Sequence, residues 1–137
     1  MQAETSHIDE LLECLVFLTR FYGVPNSQDA LTTGLPLVSG RLSTALFSRA
    51  AERGGLSARE VIQPLEQISP LLLPCVLQTR HGGACILLEW SKDRSQAKVI
   101  FPQAGDAAQW VSTAQLGDEY NGRLFFVKKQ FKFDERS

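Results

Sequence analysis

The sequence predicts an α+β fold in which N-terminal helices pack against an antiparallel β-sheet. Two observations predict it. The first half of the chain carries apolar residues at helical spacing, and after Gly55 the apolar residues fall into short or alternating runs separated by turn residues. Helices first and strands afterwards, with no alternation between them, is the pattern of segregated layers rather than of a parallel sheet. At 137 residues the chain fits one domain, 1–137, and is long enough to bury a core without disulfide staples.

Each element follows from local chemistry. From Ser6 to Tyr22, Ile8, Leu11, Leu12, Leu15, Leu18 and Tyr22 line one helical face, and Ser6 with Asp9 resembles a capping box. Gly23 and Pro25 end this helix. Residues 27–33 are expected to form a short helix. Leu42, Leu46, Phe47 and Ala50 place another over 41–53, closed by Gly54-Gly55. Strands are expected at about 57–62, 73–79, 84–90, 96–101, 108–112 and 123–130. Pro64, Pro70, His81-Gly82-Gly83, Lys92-Asp93-Arg94, Gly105 and Asn121-Gly122 interrupt them. No repeat, low-complexity tract or linker divides the chain.

Composition excludes several classes of function. The formal net charge of −1 and the absence of a basic stripe interleaved with aromatics argue against nucleic-acid binding. There is no Gly-rich phosphate loop, so this segment has no Walker-type nucleotide site. The N-terminus lacks the basic-then-apolar pattern of a signal peptide, and the longest nearly apolar run, Pro70 to Leu77, is too short to cross a bilayer. Cys14, Cys75 and Cys85 are odd in number and lie in apolar contexts, which points to a reducing compartment. Residues 1–70 hold five Lys/Arg against eight Asp/Glu, and residues 71–137 hold nine against seven, with Lys128, Lys129, Lys132 and Arg136 gathered at the end. That basic tail reads either as a protected edge strand or as a juxtamembrane connection.

Sites of chemistry are sparse. His81 and Cys85 straddle a turn and an apolar strand without a second ligand pair, so no metal site is expected. Glu10 and Glu13 read as a solvated acidic face at a helix N-terminus, where the helix dipole favours negative charge, rather than as a calcium or acid/base pair. Cys14 reads as a small packing residue. A catalytic role would require His7 or His81 to reach it.

The segment Asp9-Glu10-Leu11-Leu12-Glu13-Cys14-Leu15, continuing to Tyr22-Gly23, resembles the first helix of the bacteriocin-processing cysteine peptidases. These are the double-glycine leader peptidases at the front of bacterial ABC exporters. The resemblance extends through Gly40-Arg41-Leu42-Ser43, the stretch Arg49 to Ala58, Leu73-Pro74-Cys75-Val76-Leu77 and Gly83-Ala84-Cys85-Ile86-Leu87-Leu88, and so covers most of the chain. It implies a papain-like fold. The family pattern has Gln, four residues, Asp-Cys-Gly, two residues and Cys-Leu. Here Asp9 and Cys14 match, but Glu10 stands at the nucleophile, Leu11 at the following glycine and Glu4 at the oxyanion glutamine. Ala84 stands at the catalytic histidine, and Phe101, before Pro102, at the orienting aspartate.

The resemblance therefore implies a catalytically vacant domain at the N-terminus of a type I secretion ABC transporter. The segment around Glu10, with Gly-Leu-Pro-Leu-Val at 34–38, is most similar to the subgroup exporting adhesins and repeat-in-toxin proteins. The implied role is to recruit an unfolded secreted protein without cutting it, on the cytoplasmic side of the bacterial inner membrane. Its implied partners are that substrate and the membrane and nucleotide-binding domains of the same transporter, an ATPase that works as a homodimer; no cofactor is implied for the domain itself. Expected substrate contacts are Trp90, Phe101, Trp110 and Tyr120, because aromatics give contact area at low entropy cost. Trp90 and Phe101 end strands and read equally as core. Two other readings remain open: a structural or regulatory domain touching only its own transporter, and a thiol hydrolase using Cys14.

Overall fold

Leu11, Leu12, Cys14, Leu15 and Leu18 turn inward on one face of helix α1, Glu10–Phe21, and supply the apolar stripe on which the helical layer is built. The computed structural model describes residues 8–131. Asp9 is the N-cap of α1, its carboxylate accepting from the Leu12 N–H at 3.2 Å. The helix thus starts later than the sequence predicts, since an Asp with both carboxylate oxygens engaged ends the preceding coil. Ile8 lies in that coil, and Ser6 lies outside the described residues. Helix α2 spans Gln28–Thr32 and helix α3 Thr44–Arg53. At the end of α3 the buried Gly54 leaves room for Leu31, whose Cδ2 would sit 2.8 Å from any Cβ there, and Gly55 takes φ +81° to reverse the chain.

Six strands follow: β1 Leu56–Ile62, β2 Cys75–Thr79, β3 Ala84–Trp90, β4 Gln96–Ile100, β5 Ala108–Ser112 and β6 Tyr120–Lys129. They form one antiparallel sheet in the order β1-β6-β2-β3-β4-β5. The expected α+β class, with helices preceding an antiparallel sheet, is the architecture found. A fourth helix, α4, Thr113–Glu119, which the sequence pattern does not predict, leads directly into β6 and explains why that strand begins at Tyr120.

The sheet divides the core in two. On one face, Leu15, Leu18, Phe47 and Ala50 from the helices pack on Val76, Ile86, Phe125 and Val127. On the other, Leu65 and Ile68 from the β1–β2 connection and Leu116 of α4 cover Cys75, Leu77, Leu87, Val99 and Leu124. Phe47 stacks on Phe125 with ring centroids 4.2 Å apart, fastening α3 to the sheet, and the Tyr22 hydroxyl donates to the Val127 carbonyl at 2.9 Å, fastening the end of α1 to β6. No helix among the described residues is long and apolar enough to cross a membrane.

Candidate functional site

The N-terminus of α1, the start of β3 and the turn Pro102–Ala104 meet at one corner of the molecule. Asp9 sets the position of α1: one carboxylate oxygen caps the helix, and the other accepts from the Leu42 N–H at 2.7 Å. The Arg41 guanidinium donates to the Ile8 carbonyl at 3.2 Å, so the segment ahead of α3 clamps the helix start.

Glu10, the first helical residue, then points toward the sheet. Its Oε1 accepts from the Ala84 N–H at 3.0 Å, and its Oε2 accepts a short hydrogen bond from the Gln103 side chain. The carboxylate thereby closes the corner between helix and sheet, at a helix end where negative charge is favoured. Glycine suits the position beside it, because a Cβ on Gly83 would meet Glu10 Oε1 and the carboxylate would have to move aside.

Three adjoining cavities open around this corner, and Gln103 lines all of them. One of about 530 Å³ is polar, bordered by Asp9, Arg41, His81 and Gly83. A smaller one of about 200 Å³ contains Glu10, Ala84, Phe101 and Glu119. A third of about 500 Å³ continues past Phe101 to Val111, Gln115 and Leu116. The result is an open groove, polar at the α1 end and more apolar at the α4 end.

Glu10, Ala84 and Phe101, separated by more than ninety residues end to end, are thus brought together at one end of this groove. Glu4 and His7 lie outside the described residues, as do Lys132 and Arg136. His81 is exposed at the rim beside Glu10. Cys14 lines none of the cavities; it is fully buried in the helix-side core, and burial, followed by the nearby Cys85, Glu10, Glu13 and Asp9, pushes its thiol well above the usual range. Among the described residues, no three His, Cys, Asp or Glu side chains come together as a metal site.

The four aromatic contact positions separate. Phe101 is half-buried in the groove wall. Trp110 is 47% exposed on the edge strand β5 but lies outside the cavities. Trp90 donates its indole N–H to the Ile68 carbonyl at 3.0 Å and is covered by the Arg94 guanidinium 5.0 Å from its ring, which makes it a clamp for the β1–β2 connection. Tyr120 sits in the core rather than on a contact surface: it is 5% exposed, and its hydroxyl donates to the Gln63 carbonyl at 2.6 Å. Gln103 had no distinguishing mark in the sequence, and Arg41 stood out only as part of the matching stretch Gly40-Arg41-Leu42-Ser43, with no role attached to it. Gly83 had one, since a glycine at a strand start often marks close approach by another group.

Comparison with solved structures places this geometry among known proteins. The N-terminal peptidase C39-like domain of a toxin secretion ATP-binding protein from Vibrio parahaemolyticus is 40% identical, superimposes with a TM-score of 0.87, and is matched over 91% of this chain and 100% of its own. The chain belongs to the peptidase C39-like domain family. Two more distant structures share the fold of this C39-like domain. A double-glycine-motif protease from an AMS/PCAT transporter, solved in complex with the leader peptide, is 14% identical with a TM-score of 0.73 over 93% of this chain and 89% of its own. The peptidase domain of Streptococcus ComA, a bifunctional ABC transporter, is 15% identical with a TM-score of 0.76 over 93% and 96%. No family model and no curated protein matches the chain.

The Glu10 corner yields a direct test. A methyl group added at Gly83 would force the Glu10 carboxylate away from the Ala84 N–H, so Gly83→Ala is expected to cost about 1–3 kcal/mol, the range for losing a charged hydrogen bond at a partly buried amide. In a Glu10→Ala background the same substitution should cost little. Chemical denaturation of both single variants and the double variant measures the difference, and equal costs in the two backgrounds would refute this account of the corner.

Proposed function

We propose that this C39-like domain is a non-catalytic, substrate-recruiting part of a type I secretion ABC exporter, which holds an unfolded secreted protein of the adhesin or repeat-in-toxin class without cleaving it. The observation that carries the reading is the Glu10 carboxylate fastened to the Ala84 N–H and to Gln103. Peptide cleavage by a cysteine protease needs a thiolate beside an imidazole and donors aimed at the developing oxyanion. At the positions that the family resemblance assigns to thiol, imidazole and orienting carboxylate stand Glu10, Ala84 and Phe101, an acceptor-only carboxylate and two side chains with no proton to move.

The open groove supports retention of peptide binding after loss of chemistry. Its walls carry both polar groups near Asp9 and Gly83 and apolar surface near Phe101, Val111 and Leu116. Binding is expected to be modest, because a segment held too tightly would block its own transport and an unfolded chain loses freedom on docking.

Incubating the pure domain with a double-glycine leader peptide should yield no cleavage sensitive to thiol inhibitors; specific, inhibitor-sensitive cleavage would overturn the non-catalytic reading. Recruitment is tested by NMR titration with secreted-protein segments kept unfolded, with folded controls alongside. Weak, saturable shifts with unfolded segments alone are expected. If no segment shifts any resonance while the domain associates with the rest of its transporter, the structural role takes the place of recruitment.

A further inference from the structure

We infer that β5 is a self-pairing strand, through which two copies of this chain join their sheets edge to edge, antiparallel and centred on Trp110. The inference goes beyond the recruitment reading and stands without it.

Strand β5 ends the sheet, and its outer side is paired with no other strand among the described residues. Sheet edges in soluble proteins are ordinarily blunted by charged side chains, proline or a bulge. Ala108–Ser112 carries none of these: its sequence is AQWVS, its pairing with β4 runs in unbroken register, and every residue but Val111 is exposed. Nor is it a loose end. The Arg20 guanidinium holds Asp106, just ahead of the strand, at 3.0 Å. Behind it, the Ser112 hydroxyl accepts from the Gln115 N–H at 3.0 Å and the Thr113 hydroxyl donates to the Arg94 carbonyl at 2.6 Å. An edge fixed at both ends presents its free backbone groups in a row, and another extended backbone is the partner that satisfies such a row.

Symmetry and charge identify that backbone. An antiparallel pair centred on Trp110 uses all of both strands, with Trp110 opposite its counterpart, Ala108 opposite Ser112 and Gln109 opposite Val111. No charge then faces a like charge, and the aromatic pair at the centre is a favourable cross-strand contact. Trp110 is 47% exposed, and its β4 neighbour Lys98 is already paired with Glu89 at 3.8 Å. The other edge of the sheet is the contrast. The same operation on β1, Leu56–Ile62, sets Arg59 opposite Arg59, a like-charge pair directly across strands. One edge is thus guarded against a second copy and the other is matched to one, so association closes at a dimer instead of growing into a fibre.

The join also touches the groove. Gln109 and Val111 line its apolar cavity of about 500 Å³. Residues directly opposite share a face of the sheet, so pairing sets the second copy's Val111 and Gln109 beside them, and the two grooves meet across the join. A contact of one short strand a side is far smaller than a stable interface, and the dissociation constant is expected on the order of 0.1–1 mM.

The test uses the full chain, whose three native cysteines are buried, so that a new surface thiol reports alone. Trp110→Cys sets two thiols directly opposite, with Cα atoms about 4.5–5.5 Å apart, within reach of a disulfide. Under mild oxidation it is expected to give a linked dimer about tenfold or more faster than Ser112→Cys, whose copies stand about 14 Å apart in this register. Ala108→Cys and Ser112→Cys should cross-link to each other when mixed, and neither to itself. Without any substitution, the amide resonances of residues 108–112 should move as protein concentration rises to about 1 mM. Trp110→Lys and Trp110→Glu should each abolish that movement, and a mixture of the two should restore it, with circular dichroism unchanged throughout. Equal cross-linking at 110 and 112, or a dimer that Trp110→Lys leaves intact, would overturn self-pairing through β5. Resonances of β5 that ignore concentration but move with unfolded secreted segments would overturn it in favour of cargo adding a strand there.

Discussion

Replacing Phe47 by Ala is expected to destabilise the domain by about 3–5 kcal/mol, the range for removing a buried aromatic side chain and leaving a cavity. Phe47 is fully buried, and its ring stacks on Phe125 at 4.2 Å with an interplanar angle of 28°. It belongs to α3, whereas Phe125 belongs to β6, the strand between β1 and β2, so the pair joins the helical layer to an interior strand of the sheet. The aromatic pairing contributes about 0.5–1.5 kcal/mol beyond the area buried. Since domains of this size are stable by only about 5–15 kcal/mol, the variant should lose a large share of its stability. Equilibrium denaturation measures this loss, with Leu71→Ala as the exposed control expected to change little. A cost for Phe47→Ala below about 1 kcal/mol would mean that the helices contribute little to holding the sheet together.

The helical layer was legible because its signals are local. The recurrence of Leu11, Leu15 and Leu18, and the glycine pair after Arg53, depend only on residues within a few turns of one another. Helix α4 was not legible: in Thr113–Glu119 only Leu116 is buried, and Gly117 lowers helical propensity, so no apolar stripe announces it. The insertion of β6 between β1 and β2 was equally hidden, because strand order is a non-local choice that alternation within one strand does not encode. At the site, the residues that resemblance could align, Glu10, Ala84 and Phe101, do meet around one cavity. Gln103 was missed because nothing in the sequence identifies a glutamine in a short turn as the partner of a carboxylate ninety-three positions earlier. Trp90 and Tyr120 looked like contact residues because an aromatic at a strand end reads the same way in core and on surface. Their partners, the Ile68 and Gln63 carbonyls, come from irregular segments whose placement only the fold decides.

Alkaline pH is expected to unfold the domain through its three buried thiols. Burial is the main cause in each: it pushes Cys14 and Cys75 well up, and Cys85 up to about 12 from an ordinary 9.0, with Glu10 and Glu119 adding to the shift at Cys85. A raised value means that the folded state keeps the proton after the unfolded chain has lost it. The associated stability is therefore fully present below about pH 9 and is lost as pH rises toward 12. Cys85, Cys14 and Cys75 all act in this direction, so their losses add as pH rises. Denaturation midpoints under reducing conditions should fall steeply above about pH 9, and Cys85→Ala should flatten that slope after allowance for its cavity cost. An unchanged slope in the variant would refute the linkage. The same burial bears on chemistry, because a thiol that stays protonated and has no access to solvent is neither nucleophile nor target. At neutral pH, iodoacetamide should leave all three cysteines unmodified in the folded domain and alkylate all three after unfolding in guanidinium. Rapid labelling of Cys14 in the folded protein would reopen the thiol-hydrolase reading, since only a thiol that reaches solvent as its thiolate could attack a peptide carbonyl.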